Sequence, residues 1–464
     1  LEAAVEILNF VSGEFKPSGN QKTFLKFSPF DNSELAQVAD SDAMDVILSL
    51  QSSKKALVAF ETSTPELRAD ILNKLADYFE QNAAEISYQE ALYQGLPQKF
   101  ILKNSVQISI SILRETASSL LKPLSAGQVV KASGLVGIIT PWSLSLRLVT
   151  ERLAPALAAG NAVIIKVSEQ SPITAKILGE AFKAVELPPG LVQVLNGGSE
   201  VAQIIAGHPG IRAISAAGKS STMEAIAKAA LPQMKKLQLS GGAKNAAIVL
   251  SDFDFKNRMA DIMTPFLLGQ GQMCWNMTRL FVLDSFVKEF NEELKNFLQD
   301  LQPLTSPEGD SMWTPLISKD RAEILNQKTQ FGVSEHGKVF AQPSAEAAGN
   351  FVKPTFMADL PNCSVMQQDE LFAPLFLETS VKYQHEAVKW TNTAYLGHSA
   401  IVWGAEEKFA KVAEKLDVGQ VSLNKWMVGD STTVFGVKQS SFGITDMTWS
   451  GTFYSDVKKL TMAP

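Results

Sequence analysis

Cys274 lies in the string GQGQMCW, residues 269–275, among small and polar neighbours. In such a setting a thiolate that is stabilised and reachable acts as a nucleophile. A free cysteine by itself is more often a small buried hydrophobe, so its role rests on what surrounds it. Gly269 and Gly271 begin the glycine pattern of a dinucleotide-binding turn, but its third glycine position is Cys274 itself, and that fingerprint fails.

A hydrolytic arrangement is the rival. Gln272, Cys274–Trp275, His398 and Asn424 with Trp426 stand in the order of papain-like cysteine proteases. Against it, the cysteine lies mid-chain, the only other cysteine is Cys363, and a pattern of parallel strands precedes the motif. The remaining histidines, at 208, 336 and 385, show no ligand spacing, and no pair of cysteines completes a zinc site, so no metal centre is expected.

Positioning such a thiol takes a sizeable scaffold. At 464 residues the chain is long enough for two or three lobes. Its 45% hydrophobic and 19% charged residues are globular composition, and a net charge of −6 gives no footprint for nucleic acid. Two cysteines make no disulfide framework and suggest a reducing compartment. The opening LEAAVEILNF lacks a basic stretch followed by an apolar one, and LVGIIT and NAVIIKV are too short to span a bilayer. The expectation is a cytoplasmic protein with no membrane or nucleic-acid partner.

From Asp42 to Glu90 the apolar spacing is helical, with Thr64–Pro65–Glu66 as a helix start. Beyond Val129, LVGIIT, NAVIIKV, LVQVLN and IRAIS alternate with helices expected over 150–159, 171–185, from Glu200, and up to Ala230. Strands rich in β-branched residues and separated by helices predict a parallel sheet covered on both faces, which binds ligands beyond its carboxyl strand ends. A second alternation runs from NAAIVLSD through helices over 286–301 and 320–327, the strand FLETSV and a helix over 406–416. GTFYSDVKKLT closes the chain as a strand.

The order of motifs resembles the aldehyde dehydrogenase superfamily over nearly the whole chain. Thr140–Pro141–Trp142, the block APALAAGNAVIIKVSEQSPITA, Pro188–Pro189–Gly190, LSGGAKNAAIVLSDFD and GQMC follow in family sequence. TPLIS, GNFVKPTF, DELFAPLF, VSLN, FGVKQSSFG and YSDVKKLT complete the series. The resemblance implies an α/β fold: a parallel-sheet NAD-binding lobe (1–109 and 133–242), an α/β catalytic lobe (243–440), and a small oligomerisation arm (110–132 and 441–464). A homodimer or homotetramer is implied with it.

The resemblance also implies oxidation of an aldehyde to a carboxylic acid, with NAD, through a thiohemiacetal and thioester on Cys274. Thr140 and Trp142 would lie beside the nicotinamide and phosphates. Lys166 and Glu169 would hold the adenosine ribose, the carboxylate disfavouring the 2′-phosphate of NADP. Gly218 would open the helix beside the pyrophosphate, and Glu370 and Phe372 would hold the nicotinamide ribose and ring. Two assisting groups depart from the pattern. Ser143 stands where the oxyanion-holding asparagine follows Pro-Trp. Counting back from Cys274, Ser240 stands at the glutamate that activates water, and Gln238 would take that place in an alignment from the other side. Met223 falls near where a second glycine is expected and would narrow the cofactor groove. Three outcomes are open: hydrolysis served by other groups, release of the acyl group to coenzyme A as in the branch that the GAKN string at 242–245 resembles, or a binding protein that keeps the fold.

Overall fold

The computed structural model describes residues 5–120, 128–346, 348–426, 436–443 and 452–459. Its first large sheet has eight strands, ordered Ser441–Phe442, Lys236–Ser240, Ala213–Ala217, Leu135–Ile139, Ala162–Lys166, Val192–Leu195, Asn9–Val11 and Glu14–Lys16. The five central strands run parallel. Their buried runs of Val, Ile and Leu are what a strand covered on both faces requires. Leu135–Ile139 comes first in the chain among these five; the next two lie on one side of it and the last two on the other. The strand order therefore reverses between Leu135–Ile139 and Ala213–Ala217, and the crevice beyond their carboxyl ends is where such sheets take ligands.

The helix Ser145–Ala158 starts earlier than the expected residue 150 and is buried along its whole length, including Arg147, Glu151 and Arg152. Its charged side chains mask the apolar spacing that would have extended it in the sequence. Leu144, just before it, adopts a left-handed backbone with φ 46°, and the amides of Leu144 and Leu146 donate to Gln94 and Glu90. Helix Ile173–Ala184 falls within the range expected over 171–185.

The second sheet has seven strands, ordered Lys338–Ala341, Thr355–Ala358, Leu375–Val381, Met277–Leu283, Asn245–Val249, Ser399–Trp403 and Gln420–Leu423. Only its edge pair, Lys338–Ala341 with Thr355–Ala358, is antiparallel. A third element pairs Gln128–Ala132 with Ser455–Lys459, antiparallel, over five residue pairs.

Three boundaries differ from the sequence reading. Residue 110 falls inside the helix Gln107–Leu120, which packs on Pro65–Gln81 and Ser145–Ala158. Ser441–Phe442 pairs with Lys236–Ser240 in the first sheet instead of leaving it. The closing strand is shorter than GTFYSDVKKLT; residues 121–127, 444–451 and 460–464 of the expected arm lie outside the described residues. No helix among the described residues is long and apolar enough to cross a membrane.

Candidate active site

Cys274 sits in a loop between helix Met259–Leu267 and strand Met277–Leu283, and the backbone of that loop has an unusual shape. Gly269, Gln270 and Gly271 are left-handed in succession, with φ of 82°, 55° and 66°. A Cβ on Gly271 would lie 2.6 Å from the carbonyl oxygen of Ala373, so only glycine fits that approach. The glycines that imitate a dinucleotide fingerprint thus serve the cysteine loop itself.

Hydrogen bonds fix the loop further. Asn276 Oδ1 accepts from the amide of Met273, and Asn276 Nδ2 donates to Pro265 O and Leu268 O. Asn245 Nδ2 donates to Cys274 O at 2.7 Å and to Asn276 O at 2.9 Å, while its Oδ1 accepts from Ser399 N at 3.0 Å.

The half-buried Cys274 opens into a cavity of about 370 Å³. The same cavity is lined by Thr140, Trp142 and Ser143 at the end of Leu135–Ile139, by Lys166 and Glu169 after Ala162–Lys166, by Gly218 after Ala213–Ala217, and by Ser240 and Phe372. Ligand crevice and thiol are one space. Of the expected site residues, only Glu370 is missing from this lining. Its carboxylate instead accepts from the amide of Ser220, 3.1 Å away, at the start of helix Ser220–Ala230. It lies so close to Gly242 that a Cβ there would stand 1.2 Å from Glu370 Oε1. Burial, opposed by its hydrogen bonds, raises the Glu370 carboxyl above the usual carboxylate range.

Met223 does not narrow the groove. It is buried in the core of the first lobe, its methyl beneath Gly218, while Ser221, Thr222, Ala225 and Ile226 of the same helix line the cavity. Helix periodicity turns residue 223 inward.

The electrostatics around the sulfur are set by three buried side chains of one helix. Arg147 Nε donates to Glu151 Oε1 at 2.8 Å, and Arg152 Nη1 lies 3.6 Å from Glu151 Oε2. Arg152 Nη2 donates to Ser240 Oγ at 3.1 Å, and the Arg147 guanidinium lies 5.2 Å over the ring of Trp275. Burial pushes the Cys274 thiol up to about 12, and Glu151 adds to this; Arg147 and Arg152 oppose it. Burial likewise lowers Arg152. The sequence reading passed over this cluster, although two arginines and a glutamate at positions 147, 151 and 152, within nine residues of TPWS, were a visible signal.

Gln238, the other candidate for the missing glutamate, points at the core. Its Oε1 accepts from Ser215 Oγ at 2.7 Å and from the Tyr454 hydroxyl at 3.3 Å. Ser240, one turn of the pleat further along, is the residue of this pair that reaches the cavity. On the far side, Lys166 Nζ donates to Glu169 Oε2 at 3.0 Å. Burial would raise Glu169, but Lys166 and the hydrogen bonds outweigh it and hold the carboxyl below its usual range.

The protease order separates in space. Gln272, Cys274 and His398 line the cavity, whereas Asn424 bonds to the backbone of Gly404 and the Trp426 indole donates to Trp275 O. No group of three or more potential metal ligands occurs among the described residues.

Comparison with known proteins places this geometry. The model of the aldehyde dehydrogenase family matches residues 15–460. The chain is 29% identical to the 2-hydroxymuconic semialdehyde dehydrogenase of Pseudomonas sp. (strain CF600), with 98% of this chain and 99% of that protein covered. It is 30% identical to the NADP/NAD-dependent aldehyde dehydrogenase PuuC of Escherichia coli (strain K12), with 96% and 93% covered. The structure of an aldehyde dehydrogenase from Bacillus cereus in complex with NAD+ superposes with a TM-score of 0.90 at 26% identity, covering 98% of this chain and 96% of that one. The chain belongs to the aldehyde dehydrogenase family. Its reaction is the NAD(P)-dependent oxidation of an aldehyde to an acid, as the family and these relatives establish.

Proposed function

We propose that Cys274 is the nucleophile of this reaction and that NAD, in preference to NADP, is the oxidant. One observation carries the reading: the sulfur shares a single cavity with the strand ends at the point where the first sheet reverses its order. The residues present fit a dinucleotide. Thr140 Oγ1 is buried in the lining without a hydrogen-bond partner, and Gly218 lies at the start of helix Ser220–Ala230, where a phosphate would take the place of the Glu370 carboxylate at the Ser220 amide. Trp142 and Phe372 offer apolar faces, and Lys166 with Glu169 suits a ribose. Glu169, held ionised, would meet a 2′-phosphate as a like charge. Bound there, the dinucleotide supplies the hydride acceptor.

The chain's own residues do the rest. The Cys274 thiolate adds to the aldehyde carbon, and the oxygen takes hydrogen bonds from the Ser143 hydroxyl and a backbone amide. Loss of hydride leaves a thioester on Cys274. Ser240 supplies no base for release of the acyl group, because a serine hydroxyl is not basic near neutrality and its oxygen already accepts from a guanidinium. That direction of bonding favours a second reading, in which a thiol such as coenzyme A, itself a strong nucleophile, takes the acyl group.

The chain is assigned a nucleotide-binding lobe around the first sheet, including the helix Gln107–Leu120 that crosses the expected boundary at residue 110, and a catalytic lobe around the second. The Gln128–Ala132 and Ser455–Lys459 pair is assigned as a bridging arm. Val457 is exposed on that pair, and a two-stranded ribbon with open edges is a ready pairing surface for a homodimer or homotetramer. A cytoplasmic location accords with the cysteine usage. The test is NADH formation from a panel of aldehydes by the protein and by Cys274→Ala. The variant loses all of it; retained activity places the nucleophile elsewhere, and acid against acyl-coenzyme A as product separates the two readings.

A further inference from the structure

With serine at 143 and 240, neither of those positions offers a base, but the cavity that Cys274 lines also holds an imidazole. His398 directly precedes strand Ser399–Trp403, and Cys274 lies just before strand Met277–Leu283. Both strands flank Asn245–Val249 and run parallel to it, so the two residues stand at the same end of the second sheet. With neighbouring strands about 4.8 Å apart, their backbones are separated by roughly 10 Å across the central strand. The Asn245 amide spans that gap, holding Cys274 O on one side and Ser399 N on the other. Both side chains line the same cavity, which has room for a small molecule.

The imidazole is 5% exposed, lines the cavity, and its Nδ1 is buried without a hydrogen-bond partner. A histidine in a core position normally spends its ring nitrogens on neighbours; this one leaves Nδ1 unspent.

We propose that His398 is the general base that releases the acyl group from Cys274. The inference rests on Cys274 being the nucleophile. In the step, water gives a proton to the imidazole as its oxygen adds to the thioester carbonyl carbon. The C–S bond then breaks, and the sulfur leaves as thiolate and takes the proton back. The products are the Cys274 thiol and a carboxylic acid, which loses its own proton to solvent; nothing is oxidised or reduced. Burial holds the imidazole at about 4, so it is neutral at physiological pH with the basicity of an ordinary carboxylate. It can therefore stand in for the glutamate that position 240 lacks.

The test isolates this step from the cofactor. In a Cys363→Ser background, p-nitrophenyl acetate acylates Cys274 directly, giving a burst of p-nitrophenolate followed by a steady rate set by deacylation. His398→Gln and His398→Asn are expected to keep the burst, showing an intact site, while the steady rate falls about 100-fold. Mass spectrometry then finds the acetyl group resident on the Cys274 peptide, and hydroxylamine, which needs no base, restores turnover. An unchanged steady rate in either variant that keeps the burst overturns the proposal, and so does loss of the burst in both. If the parent protein gives the same burst with and without Cys274→Ala, it is the nucleophile that has been misassigned.

Discussion

Arg152 Nη2 donates a hydrogen bond to Ser240 Oγ across 3.1 Å, joining the helix after Trp142 to the end of the strand that leads into the second lobe. The guanidinium is buried, and with Arg147 and Glu151 it sets two positive groups and one negative group beside the thiol. Buried charges of this kind are costly unless opposite ones lie close to them.

Ser240→Glu supplies a further opposite charge. The new carboxylate would pair with Arg152, so the variant should fold as well as the parent or better. Its pKa would be held low by the guanidinium, which limits its strength as a base. The expected outcome is a rise of roughly tenfold in steady-state hydrolysis at neutral pH, well short of the 10²–10⁴ that an optimally tuned base contributes. Steady-state NADH formation measures it; no rise means that deacylation is not the slow step.

The buried thiol makes its own prediction. A group raised to about 12 is protonated throughout the physiological range, and its reactive form grows tenfold with each pH unit up to that value. In Cys363→Ser protein without cofactor, iodoacetamide labelling of Cys274 should therefore climb from pH 7 to pH 10 with no plateau. A plateau near pH 8 would mean that the two arginines outweigh burial.

On the proposed reading, cofactor choice rests on Glu169. Glu169→Ala removes the like charge facing a 2′-phosphate and leaves Lys166 without its acceptor, free to meet that phosphate. The ratio of kcat/KM for NADP to that for NAD should rise at least tenfold, mostly through KM. Equal loss with both cofactors would show that Glu169 does not face the adenosine ribose.

Glu370 occupies the amide of Ser220 at the helix start that Gly218 opens, where the pyrophosphate is expected. The carboxylate and a phosphate cannot share that donor. Glu370→Ala should tighten the binding of ADP, which has the phosphates and lacks the nicotinamide ribose, by several-fold in a calorimetric titration. Unaltered ADP affinity would mean that the phosphates lie away from Ser220.

Much of this architecture was legible because the parallel strands are written as unbroken runs of Val, Ile and Leu between amphipathic helices, from LVGIIT through IRAIS. The place of Cys274 was legible from its neighbours in order. What escaped the sequence was burial of charge. Arg147, Glu151 and Arg152 look like the solvent face of a helix, and only three-dimensional packing shows them beside the Cys274 thiol. Met223 was misread for the same reason: its side chain turns away from the groove, and that turn has no signature in residue type. His398 looked like a fragment of a protease pattern because the sequence cannot show which distant residues share a cavity.

The three left-handed residues ahead of Cys274 have one more implication. Because the bend that presents the sulfur is stored in the main chain at Gly269, Gln270 and Gly271, it borrows nothing from positions 143 or 240. Exchanging the side chains at 143 and 240 would therefore leave the Cys274 sulfur where it is. On the proposed reading, the reactive atom is held on station while the groups around it are open to change.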